Sequence, residues 1–131
     1  MAKKATTTKT KRKVRKAVGL AVVHVNASFN NTHITVADKT GNVVAWRTSG
    51  SEGFSGSKKS TPFAAAQVMK VIIDKMKVFG VTQAEVIISG IGSGRESALR
   101  VLGGSGIDIL SITDKTPVPH NGCRPRKTRR V

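Results

Sequence analysis

The sequence predicts an α/β domain on a mixed sheet, in the order β-β-β-α-β-α-β, with an unstructured basic arm at each end. Two observations predict the domain: five short stretches rich in β-branched residues, and two intervening stretches whose apolar residues recur at helical spacing. A third predicts the arms. Of the formal net charge of +16 on 131 residues, +8 falls in residues 1–16 and +6 in residues 115–131, which leaves +2 for the 98 residues between. Neither end segment carries an acid, so each repels itself and cannot bury a core. The expected organisation is an arm over 1–16, one domain over 17–114 and a proline-containing tail over 115–131.

The first strand is expected over residues 18–27 (VGLAVVHVNA), too continuously apolar for a one-sided strand, and is therefore read as central and covered on both faces. Asn30 and Asn31 follow as turn formers. Residues 32–38 (THITVAD) and 43–48 (VVAWRT) are separated by Lys39-Thr40-Gly41-Asn42, a hairpin loop, so that the first three strands run antiparallel. Residues 49–60 hold three glycines and five serines without periodicity, which reads as a long loop of functional interest. A helix then starts with Thr61 as N-cap and Pro62 at the first helical position. Its apolar face is read as Phe63, Ala66, Met69, Ile72, Ile73, Met76 and Phe79, and Gly80 ends it. Residues 85–89 (EVIIS) form a fourth strand. A glycine loop, residues 90–94, leads into a second helix over 95–102, where Ser93 and Glu96 have the spacing of a capping box. Residues 107–113 (IDILSIT) supply the last strand. Strand–helix–strand order requires parallel crossovers, hence a mixed sheet.

Several function classes are disfavoured by composition. A single cysteine, Cys123, excludes an internal disulfide framework and suits a reducing compartment. The apolar run at 17–23 resembles a signal peptide only until His24 and Asn26 interrupt it, and no stretch approaches the ~20 apolar residues of a membrane span. The chain is read as soluble, with no membrane partner. Metal-dependent hydrolysis needs several clustered carboxylates, yet the chain has seven acids and none in the first strand. His24 and His33 are read as sheet residues, and His120 with Cys123 forms an H-x-x-C two ligands short of a zinc site. No catalytic residue, metal or cofactor is expected, and no enzyme.

Two motifs need separate treatment. Residues 90–94 read G-x-G-x-G, and Asp114 lies twenty positions beyond Gly94, as in dinucleotide-binding folds; the spacing is not G-x-G-x-x-G, and such a loop also serves tight turning alone. An RNA phosphate at the helix start, beside Arg95, is the better guest. Residues 53–60 (GFSGSKKS) imitate a P-loop but place Lys58 where glycine is required. What remains is a pair, Lys58 and Lys59, ahead of a helix start, suited to phosphate contact or to plain solvation. With five aromatics and no tyrosine, recognition is expected through phosphates and shape rather than by base stacking.

Four blocks carry a closer likeness. They are Asn26-Ala27-Ser28-Phe29-Asn30-Asn31-Thr32; Gly56-Ser57-Lys58-Lys59-Ser60-Thr61-Pro62-Phe63-Ala64-Ala65; Gly94-Arg95-Glu96-Ser97; and residues 114–125, DKTPVPHNGCRP. In this order they resemble the family of small-subunit ribosomal protein eleven, and the ending resembles its bacterial or organellar branch. The chain departs from the family pattern at Ile91 and Ser93, where prolines are usual, and at Arg126, often a second proline; both departures loosen the backbone. The resemblance implies a ribonuclease-H-like fold without catalytic carboxylates. It also implies a structural role in translation, on the platform of the small subunit: bridging ribosomal RNA helices and lining the cleft through which messenger RNA leaves, where the Shine-Dalgarno helix lies. Small-subunit proteins seven and eighteen are the implied neighbours, with initiation factor three nearby. A cytoplasmic ribosome is expected, with an organellar one as the alternative.

The expected RNA contacts are Lys11, Arg12, Lys13, Arg15 and Lys16 in the first arm, Asn30, Asn31, Lys58, Lys59 and Arg95 in the domain, and His120, Asn121, Arg124, Arg126, Lys127, Arg129 and Arg130 in the tail. Asn121-Gly122 is also a candidate isoaspartate site, because glycine leaves the following backbone nitrogen free to reach the asparagine amide carbon. A nucleoid-like DNA-binding protein would share the charge, and a nucleotide-dependent enzyme the glycine loop; co-sedimentation with ribosomal subunits separates both from a ribosomal protein.

Overall fold

A computed structural model describes residues 17–130, so the contacts expected from Lys11 to Lys16 lie outside the described residues. The elements are β1 (Leu20–Ala27), β2 (Thr32–Ala37), β3 (Val43–Thr48), α1 (Pro62–Val78), β4 (Gln83–Ser89), α2 (Gly94–Gly103) and β5 (Asp108–Asp114), in the expected order. They form one five-stranded sheet, β3-β2-β1-β4-β5. β1 pairs antiparallel with β2 and parallel with β4, and β4 pairs parallel with β5. The mixed sheet is thus a β1–β2–β3 meander extended by two crossover strands. Among the described residues no helix is long and apolar enough to cross a membrane.

β1 is central, but it is not covered on both faces. Ala21, Val23, Val25 and Ala27 are buried, while His24 and Asn26 between them are exposed. Both helices lie on one side of the sheet, in a single core with Val23, Val25, Ile34, Val36, Val86, Met69, Ile72, Met76 and Leu102. The long apolar run misled because Val22 and Leu20 occupy the open face half-buried, supported by neighbouring strands rather than by a second layer. Each fully buried Ile or Leu adds roughly 1.5–3 kcal/mol over its exposed state.

α1 begins as expected: the Thr61 hydroxyl accepts from Ala64 N–H at 3.3 Å, and Pro62 follows. Gly80, at φ 72°, ends it in the left-handed region. Its buried face is rotated from the expected one, running through Ala64, Ala65, Val68, Met69, Ile72, Ile73 and Met76. Phe63 is 64% exposed and meets Phe54 edge to face at 6.0 Å. The small side chains Ala64 and Ala65 win the core positions because α2 approaches closely there: a Cβ on Gly94 would stand 2.8 Å from Ala65 Cβ. The capping box at the start of α2 does not form. Ser93 has helical backbone angles and makes no side-chain cap bond; its hydroxyl donates instead to the Ser60 carbonyl at 3.1 Å, tying the two helix starts together.

The β2–β3 loop is organised by Asp38, whose Oδ1 accepts from Thr40 N–H, Thr40 Oγ1 and Asn42 N–H. These bonds hold its carboxyl below the usual aspartate range, the Thr40 hydroxyl contributing most. The long loop after β3 is not shapeless. It forms two short 3-10 turns, Gly50–Glu52 and Gly56–Ser60.

Candidate nucleic-acid interface

Parallel strands deliver their carboxyl ends to one edge of the sheet, and in open α/β folds that edge is where ligands bind. Here β1, β4 and β5 end together, so the turn of residues 28–31, the glycine loop and the root of the tail are neighbours. β3 also ends there, bringing the segment with Lys58 and Lys59. Both helices start there. The sequence placed each of these pieces in a loop; only the sheet order places them side by side.

The turn after β1 is fixed by Ser28, whose Oγ accepts from Asn30 and Asn31 N–H and donates to the Asn31 carbonyl. Asn31 is partly spent on structure, since its Oδ1 accepts from Thr32 N–H at 2.9 Å. Asn30 is exposed, and just before it Phe29 is 70% exposed. Phe29 is the residue that sequence reasoning passed over. An apolar ring inside a run of Ser and Asn turn formers, where no core position is available, was the signal that could have found it.

The glycine loop is packed, not open. Gly92 N–H donates to the Ala27 carbonyl at 2.9 Å, and a Cβ on Gly92 would lie 2.4 Å from the Ser28 carbonyl oxygen. On this side the loop meets the backbone of β1 and leaves no space for a pyrophosphate. Its outer side, with Pro62, Ser93, Arg95, Glu96 and Arg100, borders an open depression of about 530 Å³.

Arg95 is a clamp. Its Nη1 donates to the Gly90 carbonyl at 2.9 Å, and its Nη2 stands 3.2 Å from Asp114 Oδ2. Thr116 completes the knot: its hydroxyl lies 2.6 Å from Asp114 Oδ1 and 3.3 Å from the Gly90 carbonyl, and its N–H donates to Asp114 Oδ1. Lys115 N–H donates to the Ile88 carbonyl at 2.8 Å. The Thr116 hydroxyl and N–H, followed by the Arg95 charge, hold the Asp114 carboxyl below the ordinary aspartate range. Asp114, the acid at ribose-binding spacing, is therefore bound to its own chain.

Beyond Thr116 the tail is exposed through Arg130 and forms no helix or strand. His120, Asn121, Arg124, Arg126, Lys127, Arg129 and Arg130 are all exposed on it, as is Lys58 on the core; Lys59 is half-buried. Asn121 takes the left-handed conformation at φ 59°. The described chain begins at residue 17, at the amino end of β1, while the tail leaves the carboxyl end of β5. The parallel arrangement puts those ends on opposite sides, a strand of eight residues apart, roughly 25 Å.

A loop cluster at strand ends that offers cations and helix starts, with no cluster of carboxylates there among the described residues, suits a polyanion. Comparison with known proteins decides which. The description "Ribosomal protein S11" matches residues 21–130. The small ribosomal subunit protein uS11 of Neisseria meningitidis is 53% identical over 131 residues, covering all of both chains. The chain belongs to the ribosomal protein S11 family. That of Chromobacterium violaceum is also 53% identical over 131 residues and the full length of both, and that of Acinetobacter baumannii is 52% identical over 124 residues, 95% of this chain and 97% of its own. The S11 likeness therefore extends through both arms as well as the folded domain.

Proposed function

We propose that the chain is a structural constituent of the small ribosomal subunit that binds ribosomal RNA through the carboxyl-end loops and through both arms. The observation that carries this reading beyond family membership is where the two basic segments join the domain. Segments of +8 and +6 leave opposite ends of a domain whose own net charge is only +2, an arrangement for holding two RNA elements about one strand length apart. On this reading the chain bridges RNA helices on the platform and lines the cleft by which messenger RNA leaves, with small-subunit proteins seven and eighteen as neighbours and initiation factor three nearby. It works on the ribosome, in the cytoplasm as in a bacterial cell, and performs no reaction of its own. Affinity-tagged full-length chain expressed in a bacterial host should co-sediment with small subunits at moderate salt and stay with them after DNase. Recovery with chromosomal DNA, or free in solution, would refute the assignment.

Within the interface, different residues serve different ends. Lys58 and Lys59 are fixed phosphate contacts, and replacing either with alanine should weaken RNA binding by ~1 kcal/mol while leaving the melting temperature unchanged. Arg95 differs because its guanidinium has acceptors within the chain. Arg95→Ala should lower stability by ~1–2 kcal/mol through the lost bond to the Gly90 carbonyl, and should weaken binding as the tail root loosens. The knot should also weaken in acid. Since the folded Asp114 carboxyl titrates below its unfolded value, its contribution is complete above the ordinary aspartate pKa and disappears as pH falls through the lower, folded one. Thermal melts from neutral pH down to strongly acidic pH should show Asp114→Asn converging with wild type at the acid end. Phe29 offers a ring on which one base can stack.

Asn121 supports a chemical reading as well. Its position is exposed, left-handed and followed by glycine, so attack of the Gly122 nitrogen on the side-chain carbonyl carbon, with loss of ammonia, gives a succinimide that water reopens to aspartate or isoaspartate. Peptide mass spectrometry of purified subunits should find that product at position 121, and Gly122→Ala should suppress it. An unmodified Asn121 in nearly all copies would remove any role for the modification.

A further inference from the structure

The glycine loop of residues 90–94 is a motif that RNA binding does not by itself explain. Its inner side is spent on the end of β1. Gly92 N–H donates to the Ala27 carbonyl at 2.9 Å, a Cβ on Gly90 would stand 2.1 Å from the Ala27 carbonyl oxygen, and one on Gly92 would stand 2.4 Å from that of Ser28. Backbone packed this closely against backbone has no rotamer by which to yield, so the loop is fixed to the central strand. The next residue, Ser93, is exposed, and its hydroxyl leaves the loop altogether: it donates to the Ser60 carbonyl at 3.1 Å, thirty-three residues away.

Ser60 ends the 3-10 turn Gly56–Ser60, which carries Lys58 and Lys59 and has no side-chain bond at its N-cap, Ser55. The backbone bonds of such a turn have poor geometry, and hydroxyls supply part of what they lack. Ser60 Oγ donates to the Ser57 carbonyl at 3.2 Å, Thr61 Oγ1 to the Lys58 carbonyl at 2.7 Å, and Ser93 Oγ to the Ser60 carbonyl. Two of these three hydroxyls belong to the turn or to the residue after it, and only Ser93 reaches it from another element. Lys59 is half-buried, its stem lying beside Gly50, where an added Cβ would stand 3.8 Å from Lys59 Cδ. Where its ammonium can reach is therefore set by where the turn stands, and the turn's tie toward α2 is the Ser93 hydroxyl.

We infer that the glycine loop is a brace for the Lys58-Lys59 turn, with Ser93 as its positioning residue. The end of β1 holds Gly92, the next residue along carries the hydroxyl, and that hydroxyl holds the Ser60 carbonyl, so the two lysines meet an RNA backbone at a set distance from the start of α2. Ser93 touches no phosphate in this role and acts through the lysines. An RNA backbone presents phosphates at regular spacing, and cations held in place lose less freedom on meeting it than cations on a loose turn. The inference rests on the ribosomal reading and on its assignment of Lys58 and Lys59 as phosphate contacts.

The test is a double-mutant cycle on the full chain. Small subunits depleted of their own copy are the probe, and rebinding at one salt concentration, followed by co-sedimentation, is the readout. Ser93→Ala should lower affinity about threefold in the wild-type background and leave it unchanged where Lys58→Ala and Lys59→Ala are already present, since a positioning residue has no effect once the groups it positions are gone. Ser93→Thr keeps the hydroxyl and should bind as wild type does. Ser93 is exposed, so all these variants should fold, and thermal melts beside the binding curves check it. An equal loss in both backgrounds would mean that Ser93 meets RNA itself and would overturn the inference. A lowered melting temperature with unchanged affinity, the mark of a residue that is only structural, would overturn it too, as would no change in either. Wild-type affinity in the chain lacking both lysines would remove the lysine contacts and this inference with them, leaving the ribosomal reading intact. Failure of the wild-type chain to rebind would instead defeat that reading.

Discussion

Gly90→Ala should be among the most damaging single substitutions in the folded domain. Gly90 stands at φ 96°, and a Cβ there would lie 2.1 Å from the Ala27 carbonyl oxygen and 2.9 Å from its carbon, both fixed backbone atoms at the end of the central strand. Neither the strained dihedral nor the overlap relaxes by a rotamer change, so the loop must move. Moving it breaks the bonds that Arg95 and Thr116 make to the Gly90 carbonyl, and with them the root of the tail. A cost of ~3–5 kcal/mol follows from backbone strain and overpacking together. For a domain of this size that lowers the midpoint by more than about 10 °C. Gly103→Ala, where a Cβ meets nothing within 4 Å, is the control and should be neutral or slightly stabilising. Thermal circular dichroism on both variants checks the pair. Coincident melts for Gly90→Ala and wild type would mean that the loop is not held against β1.

The second large effect is on binding. The arms hold +14 of the net +16. If about ten of these charges meet phosphates, log affinity for RNA should fall with log salt at a slope of about −7 to −9, between single-stranded and duplex behaviour. Removing residues 1–16 and 117–131 should flatten that slope strongly, and cutting after Thr116 rather than before it leaves the Asp114 knot whole. Because the arms leave opposite ends of the sheet, removing one should remove roughly its share of the slope and leave the other's. Filter binding across a salt series, with each arm deleted alone and then both, gives the answer. A doubly truncated domain with the full slope would transfer the electrostatics to Lys58, Lys59 and their neighbours.

Much of this protein is determined by sequence alone, for a physical reason: those features depend on neighbours a few residues apart. The helix start at Thr61-Pro62 rests on one side chain reaching a backbone N–H three residues on, and the stop at Gly80 on one dihedral. The hairpin at Asp38 is closed by bonds within a four-residue span. Charge is additive along the chain, so the +8 and +6 of the two end segments needed no fold to be read. The four family blocks carried the rest of the function.

Tertiary structure alone decided which distant groups meet. Ser93 had the spacing of a capping residue, yet its hydroxyl serves Ser60, thirty-three residues away, because α1 and α2 start side by side. Arg95 was placed as a phosphate contact on its position beside a helix start; that Asp114 and the Gly90 carbonyl claim its guanidinium depends on β4 and β5 ending together. Burial of one face of β1 depends on both helices choosing the same side of the sheet, which no local pattern records. Spacing along the chain fixes what a residue can do; the order of strands in the sheet fixes which partner from another element it does it with.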